Sequence, residues 1–247
     1  MDVRTIRDSC RTGTTGEITR VLKAVIFDFD GVISDSEPCH FAAANEVLKD
    51  FGAQISKEEY YAEYLGFTDY ELFEAVRDKS KADYKDVSID RLVEKKAAAF
   101  EKLIKQIDHL IDGVPELIEQ LKNNKIKVAI NSGACLADIK IMLAGSSIEK
   151  SFDVIVSADD VERGKPDPQG YLMAIEKLNV VFDSMIQAGQ CVVIEDSRWG
   201  IISAKKAGMK VIAVTNSYPA DELNEADLVV DSVRQLKIGD LQKLCSA

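Results

Sequence analysis

Two aspartates separated by a single residue are the groups in this sequence that most plainly could carry chemistry. Asp28 and Asp30 directly follow the apolar run at residues 21–27, and Gly31 comes next. Two carboxylates at this spacing can hold a hard cation, and one of their oxygens can act as a nucleophile. Aspartate also often ends a strand, and Asp-Gly often begins a turn, so an ordinary turn explains the pair equally well.

Other polar groups follow other strand-like runs. Ser132 and Gly133 follow one such run, Glu195 and Asp196 follow another, and Lys165 lies in a Gly-Lys-Pro turn after a third. Each has a plainer explanation: the serine as a helix cap, the acids as a helix N-terminus and the lysine as a solvated turn residue. The carboxyl ends of parallel strands share one edge of a sheet, so these groups are predicted to converge with the two aspartates.

The elements that must position these groups can be predicted from apolar periodicity. From residue 22 onward strand-like and helical patterns alternate, except for a long helical stretch after Glu37 in which Ser56, Thr68 and Ser88 begin predicted helices. This pattern predicts an α/β fold, a doubly wound parallel Rossmann-like sheet with an inserted α-helical cap domain. The predicted boundaries are 1–20 for an N-terminal extension, 21–38 and 108–247 for the core, and 39–107 for the cap.

Composition limits the classes of function. The formal net charge of -11 argues against non-specific binding to nucleic acid, which depends on lysine and arginine. Apolar runs stay below the roughly 18 to 20 residues that a membrane span needs, so we expect no membrane partner. The five cysteines are odd in number and form no CxxC pair, which favours a reducing, cytoplasmic location.

Four short motifs occur in a suitable order along the chain. They are Asp28-Phe29-Asp30-Gly31-Val32, Asn131-Ser132-Gly133, Gly164-Lys165-Pro166 and Glu195-Asp196-Ser197. In these segments the sequence resembles the haloacid dehalogenase-like (HAD) superfamily of phosphotransferases, and the resemblance extends over residues 23–236. The helical insertion resembles that of members with a small cap, including phosphoglycolate-type phosphatases and β-phosphoglucomutase.

The resemblance implies a covalent phosphoryl-transfer mechanism. Asp28 would attack phosphorus and form an aspartyl phosphate, and Asp30 would serve as the general acid and then the general base. Ser132 and the backbone amides near Gly133 would hold the phosphate oxygens. Lys165 would neutralise charge on the nucleophile and on the transferring group.

The resemblance also implies Mg2+ as a cofactor. An Asp28 carboxylate oxygen, the Asp30 backbone carbonyl and Asp196 would hold the ion, and Glu195 would assist as a direct or indirect ligand. Magnesium prefers oxygen ligands, and it would let an anionic nucleophile approach an anionic phosphate. Gly31 would permit a sharp backbone turn into a hinge that leads to the cap.

Two departures from β-phosphoglucomutase favour a phosphatase over a mutase. The mutase holds a second phosphate with an arginine in a Gly-x-x-Arg turn, but the matching turn here, residues 66–69, ends in Asp69. The segment at residues 133–136 also offers few polar side chains. His40 matches a mutase histidine that orients the general acid, although an ordinary helix start explains it as well. We therefore predict a phosphatase that hydrolyses a small phosphorylated metabolite.

Several other functions fit the sequence less well. A sugar phosphomutase is the main alternative. True dehalogenases lack the second aspartate, which argues against that activity because Asp30 is present. A phosphorylatable receiver domain would be about half this length. A binding protein without catalytic activity would not need Asp28, Asp30, Ser132, Lys165 and Asp196 together. Cys39 and His40 are adjacent and have no supporting carboxylate, so we discount a thiol nucleophile.

Overall fold

The core of the fold is a parallel sheet. The structure, a computed structural model, describes residues 21–64, 67–79, 87–107 and 109–246; the predicted N-terminal extension lies outside them. Within these residues the strands are β1 (Ala24–Phe27), β2 (Lys127–Asn131), β3 (Val154–Val156), β4 (Cys191–Glu195), β5 (Lys210–Val214) and β6 (Leu228–Val230). Their order is β3-β2-β1-β4-β5-β6, and every neighbouring pair is parallel. The predicted α/β fold class is confirmed.

Helices cover both faces of the sheet. The described helices are α1 (Glu37–Lys49), α2 (Lys57–Glu59), α3 (Asp69–Lys79), α4 (Ile89–Ile104), α5 (Val114–Asn123), α6 (Leu136–Leu143), α7 (Gln169–Phe182), α8 (Arg198–Lys206) and α9 (Ile238–Ser246). Side chains alternate along a strand, so Val25 and Phe27 pack with α5, α6 and α9 on one face. Ala24 and Ile26 pack with α7 and α8 on the other. No described helix is long and apolar enough to cross a bilayer.

Helices α1 to α4 form the insertion between β1 and β2. A π-helical segment (Tyr60–Tyr64) continues α2, and the four helices enclose their own apolar cluster, which includes Leu48, Phe73 and Leu92. The predicted caps are present, since the Ser56 hydroxyl accepts a hydrogen bond from Glu59 N and the Ser88 hydroxyl accepts one from Arg91 N.

One strand is shorter than the apolar run that predicts it, since β1 begins at Ala24 rather than at residue 21. α1 begins at Glu37, where the predicted helical stretch begins. The last helix begins at Ile238, after a separate 3-10 turn (Val233–Gln235). The domain boundaries themselves stay a prediction.

Two chain segments connect the sheet to the insertion, and they lie side by side. Ser34 and Leu110 form an antiparallel bridge. On either side of it, Asp35 N donates to His109 O at 2.8 Å, and Ile111 N donates to Ile33 O at 2.9 Å. The paired segments therefore form a narrow connection between the sheet and the helical insertion.

Candidate active site

The strands bring the predicted site residues to one edge of the sheet. Phe27 of β1 pairs in register with Ile130 of β2 and with Ile194 of β4. The residues that follow these positions therefore emerge at the same level. Carboxylate oxygens of Asp28, Glu195 and Asp196, all buried, lie within 4.8 Å of one another.

Lys165 lies between two of these carboxylates. Its Nζ is 2.5 Å from Asp28 Oδ1 and 2.6 Å from Glu195 Oε1. Burial alone would lower the pKa of Lys165, but the two carboxylates outweigh burial and hold that pKa above its usual range. Burial raises the pKa of Asp28 well above its ordinary value, and the Glu195 charge raises it further, while Lys165 opposes the shift. The lysine thus partly neutralises a strongly acidic cluster.

Glu195 is fully buried, and its carboxylate already accepts several hydrogen bonds. Besides Lys165, the hydroxyl of Tyr171 donates to it at 2.7 Å and the hydroxyl of Ser197 donates at 2.9 Å. The backbone N–H of Asp196 donates to it at 3.1 Å. This geometry makes Glu195 a group that orients Lys165 and the loop after β4.

Asp196 faces the loop that follows β1. Its carboxylate accepts a hydrogen bond from the Ser217 hydroxyl, and burial followed by the Glu195 charge raises its pKa to about 7. Gly31 approaches this carboxylate with φ +74°, and a Cβ at that position would overlap it. The Gly31 carbonyl accepts a hydrogen bond from Asn216 Nδ2 at 2.7 Å. Only glycine satisfies both the left-handed backbone and the close approach.

Asp30 is linked to the start of the insertion. Its Oδ1 accepts a hydrogen bond from the Ser36 hydroxyl at 2.8 Å, and burial raises its pKa despite that bond. Gly31 N donates to Ser34 O at 2.8 Å and closes the turn between them. A carboxyl group with a raised pKa keeps its proton more readily than an ordinary aspartate, as a general acid must.

Ser132 and Gly133 line a small cavity beside Lys165. The cavity measures about 140 Å3. The Ser132 hydroxyl accepts a hydrogen bond from Ala134 N at 2.9 Å, whereas the residue at the N-cap of α6 is Cys135. The alternative in which Ser132 caps the following helix is therefore wrong, because that helix begins too late for it to do so.

His40 lies within the helical insertion. Its ring stacks on Phe100 with centroids 4.2 Å apart, and its Nδ1 is 3.1 Å from Lys96 Nζ. Burial, and then the Lys96 charge, lower the pKa of His40 to about 4. Lys96 is itself buried and forms an ion pair with Asp69. The substrate-binding role of His40 stays a prediction.

Several residues that organise the site were not identified from the sequence. They are Ser36, Lys96, Tyr171 and Ser217, which contact Asp30, His40, Glu195 and Asp196 respectively. Ser217 follows the end of β5, so the rule that identified the other strand-end groups would have found it. Lys96 interrupts the apolar stripe of α4, and a charged residue there is a usable signal. Ser36 and Tyr171 carry no comparable signal.

The donor set suits a hard cation. Carboxylate oxygens are the ligands that Mg2+ prefers, and three carboxylates facing one lysine leave negative charge that a cation would balance. Asp28 and Asp196 are the carboxylates best placed to hold it, because the oxygens of Glu195 are engaged by protein donors. The buried acidic cluster is therefore a candidate metal centre.

Comparisons with known proteins agree with this geometry. The sequence profile of a family described as haloacid dehalogenase-like hydrolase matches residues 25–214. A phosphorylated carbohydrates phosphatase of Thermotoga maritima is 36% identical over 196 residues, which cover 77% of this chain and 84% of the relative. A beta-phosphoglucomutase of Bacillus subtilis is 29% identical over 221 residues, covering 88% and 92% respectively. The crystal structure of CbbY from Rhodobacter sphaeroides in complex with phosphate is similar to this structure, with a TM-score of 0.74 and 26% sequence identity. The similarity covers 89% of this chain and 99% of the CbbY chain.

Proposed function

The chain belongs to the haloacid dehalogenase-like hydrolase family, and from this premise we propose that it is a Mg2+-dependent phosphatase acting on a small phosphomonoester. The substrate is a sugar phosphate or a similar metabolite, as the name of the Thermotoga maritima relative suggests. The observation that carries the proposal is the placement of Lys165 within 2.6 Å of both Asp28 and Glu195, next to Asp196. This placement supports a site in which a nucleophile, a fixed cation and a metal centre act together at one edge of the sheet.

Asp28 is the proposed nucleophile. Its carboxylate attacks phosphorus while the bond between phosphorus and the ester oxygen breaks, and Asp30 gives its proton to the departing alkoxide. Water then attacks the aspartyl phosphate, Asp30 takes a proton from that water, and inorganic phosphate leaves. The raised pKa of Asp30 supports its role as the acid in the first step.

The remaining residues hold charge in place. Lys165 compensates the charge on Asp28 and on the transferring group, and Glu195 and Tyr171 fix its position. Bound Mg2+ would supply further positive charge at Asp28 and Asp196. Ser132 and the amides near Gly133 border the cavity beside Lys165 and are proposed to bind phosphate oxygens. Such positioning and charge stabilisation account for most catalysis of phosphoryl transfer.

We further propose that helices α1 to α4 act as the cap over this edge. The insertion has its own apolar cluster and joins the sheet through the paired segments around Ser34 and Leu110. A unit connected so narrowly can close over a substrate and exclude water from it.

Phosphate release tests the proposed function. The purified protein, incubated with sugar phosphates and Mg2+, should release inorganic phosphate, and Asp28→Asn should lower kcat by at least about a thousandfold because the nucleophile is lost. The matched control is Asp240→Asn, which changes a half-exposed aspartate of α9 and should leave kcat unchanged. Undiminished turnover by Asp28→Asn, or by protein stripped of metal, contradicts the mechanism.

The second candidate function is a sugar phosphomutase, which the Bacillus subtilis relative favours. The contact between Asp69 and Lys96 weighs against it, because Asp69 brings a carboxylate to the turn where a mutase holds a second phosphate. Measuring isomer formation and phosphate release in the same assay separates the two. Isomer formation that requires a bisphosphate, without net phosphate release, would establish the mutase.

A further inference from the structure

Three apolar side chains at the end of α7 and just after it are exposed to water. Val180 is 78% exposed, Val181 is 58% exposed and Met185 is 89% exposed. Single exposed apolar residues are ordinary, but several on one short segment often mark a surface where another protein binds. Methionine is also enriched at protein interfaces. We call these three side chains the apolar ridge.

An open hollow beside the ridge is basic. Its volume is about 430 Å3, and Met185 of the ridge forms part of its wall. Among the described residues that line it, the charged ones are all lysines: Lys23, Lys125 and Lys127. Lys127 Nζ lies 3.4 Å from the centroid of the Phe182 ring. None of the three lysines forms an ion pair with another described residue, so their positive charge is not compensated within the described part of the chain.

A second open hollow beside the ridge is acidic. Its volume is about 610 Å3, and Val180 of the ridge forms part of its wall. The charged residues among the described ones that line it are Glu176 and Asp183, and neither forms an ion pair with another described residue. The two hollows share no lining residue. The end of α7 and the residues after it therefore separate a basic surface from an acidic one.

This arrangement is complementary to a second copy of itself. In a two-fold symmetric dimer every contact occurs twice, with the roles of the two copies exchanged. A two-fold axis at the apolar ridge would bring two ridges together and place the basic hollow of each copy against the acidic hollow of the other. The apolar side chains would leave water, and the unpaired charges would gain partners of opposite sign.

A purely anionic partner fits the same surface less well. Nucleic acid or an anionic lipid surface would match the three lysines of the basic hollow. It would also face Glu176 and Asp183 of the acidic hollow, which repel it. A second copy of the chain satisfies both hollows and the ridge.

We propose that this face is the interface of a two-fold symmetric dimer of the chain. It lies opposite the candidate active site, because Lys23 precedes β1 and Lys127 begins β2, whereas Asp28 follows β1. Dimerisation would therefore leave both acidic clusters outside the contact. The proposal goes beyond the phosphatase function and does not depend on it, since no residue of this interface belongs to the proposed catalytic machinery.

Sedimentation velocity at protein concentrations from about 1 to about 100 μM tests the association. The wild type should reach twice the mass of the chain at the upper concentration. Met185→Glu should raise the Kd of the dimer by at least about tenfold, because it places a carboxylate on the apolar ridge. Met185 is 89% exposed, so this change leaves the core packing intact. The matched control is Ile107→Glu, which changes an apolar residue that is 45% exposed just after α4 and should keep the wild-type Kd.

Two charge reversals test the pairing between the hollows. Lys125→Glu and Glu176→Lys should each raise the Kd of the dimer by at least about tenfold, because like charges then meet twice across the axis. Mixed in equal amounts, the two variants should form a heterodimer more readily than either forms a homodimer. In that heterodimer an acidic side chain meets a lysine at both contacts. Native mass spectrometry, with one variant isotopically labelled, measures the three species.

The outcomes separate the dimer from the proposed function. A wild type that stays monomeric at about 100 μM overturns the proposal, and so does a dimer that Met185→Glu leaves intact. Absence of the heterodimer from the mixture overturns the pairing of the two hollows. Met185→Glu should release phosphate with the kcat of the wild type, because the ridge lies away from the acidic cluster. Loss of the dimer and loss of phosphate release are therefore distinct results.

Discussion

At the scale of single residues, the site depends on how a few buried charges compensate one another. Lys165 faces Asp28 and Glu195, and Asp196 lies close by, so acids outnumber the lysine at this edge. The raised pKa values of Asp28 and Asp196 follow first from burial and then from the Glu195 charge. Removing the Lys165 charge should therefore lower the rate of the reaction mainly through lost charge compensation and not through lost packing.

Lys165→Met should lower kcat by about a hundredfold to a thousandfold, because the charge on Asp28 and on the transferring phosphoryl group would lose its fixed partner. The measurement is the kcat for phosphate release at saturating substrate and Mg2+. Lys177→Met is the control, since this lysine of α7 forms an ion pair with Asp160 and not with a carboxylate of the acidic cluster. A kcat for Lys165→Met within about threefold of wild type would refute this role for the lysine.

The lowered pKa of His40 predicts how stability depends on pH. Burial and then Lys96 lower this pKa from 6.5 to about 4, so between these values the unfolded chain binds more protons than the folded protein. The resulting stabilisation is complete above pH 6.5 and is lost as pH falls toward 4. On going from about pH 7.5 to about pH 4.5, the free energy of unfolding of the wild type should fall by about 1 to 3 kcal/mol more than that of His40→Gln.

Urea unfolding at the two pH values measures this difference. Acids with raised pKa values, such as Asp30 and Glu37, contribute with the opposite sign. They are present in both proteins, so the comparison isolates the histidine. Equal pH dependence in the wild type and His40→Gln would show that the histidine does not titrate as described.

At the scale of elements, the turn between α5 and β2 places an ordinary residue in a backbone conformation that favours glycine. Lys125 has φ 59°, and its N–H donates to Lys122 O at 2.9 Å while the helix ends. The left-handed region costs a residue with a side chain about 1 to 2 kcal/mol. The chain here tolerates that cost to end the helix and enter the strand.

Lys125→Gly should therefore stabilise the protein by about 0.5 to 1 kcal/mol, because glycine adopts this backbone without steric cost. Lys122→Gly, three residues earlier and within α5, is the matched control and should destabilise by about 1 kcal/mol, since it places glycine in helical backbone. Chemical denaturation of the three proteins gives both values. If Lys125→Gly is less stable than the wild type, the backbone of Lys125 is not strained as described.

The sequence predicted what depends on local patterns and missed what depends on contacts between distant segments. The sheet, the helical insertion and the capping residues Ser56 and Ser88 follow from periodicity and neighbouring residues, and the strand-end rule placed the acidic cluster correctly. Tyr171 could not be identified because its partner Glu195 lies far along the chain, whereas Lys96 could have been recognised as a charge within the apolar stripe of α4. The start of the helical stretch was predicted to within one residue, because Glu37 and the proline after it are typical of a helix start.

At the scale of the whole molecule, the insertion has an apolar cluster of its own, while its inner residues, such as Ala43 of α1 and Phe100 of α4, pack into the cluster that covers the sheet. Leu92 belongs to the cluster within the insertion, whereas Leu121 belongs to the cluster between α5 and the sheet, and both are fully buried. The cluster confined to the insertion predicts that the part of the insertion built around it opens independently of the sheet in the native protein.

Leu92→Ala should increase amide hydrogen exchange within residues 37–104 and leave the strands protected, because it removes about 2 to 5 kcal/mol of packing from the insertion alone. Leu121→Ala is the matched substitution in the core cluster, and it should increase exchange in β1 and β2. Mass spectrometry of peptic fragments measures both. Equal deprotection of both regions by either variant would show that the molecule opens as one unit and would refute the proposed division into cap and core.

The strand order has a consequence for synthesis on the ribosome. β1, which leads into Asp28, pairs on one side with β2 and on the other with β4, which is made more than 160 residues later. Until β4 emerges, one edge of β1 is open to pairing with other chains. The insertion, which is continuous in sequence, is complete well before then and can fold first. The nascent chain therefore presents its proposed cap before it has an active site to cover.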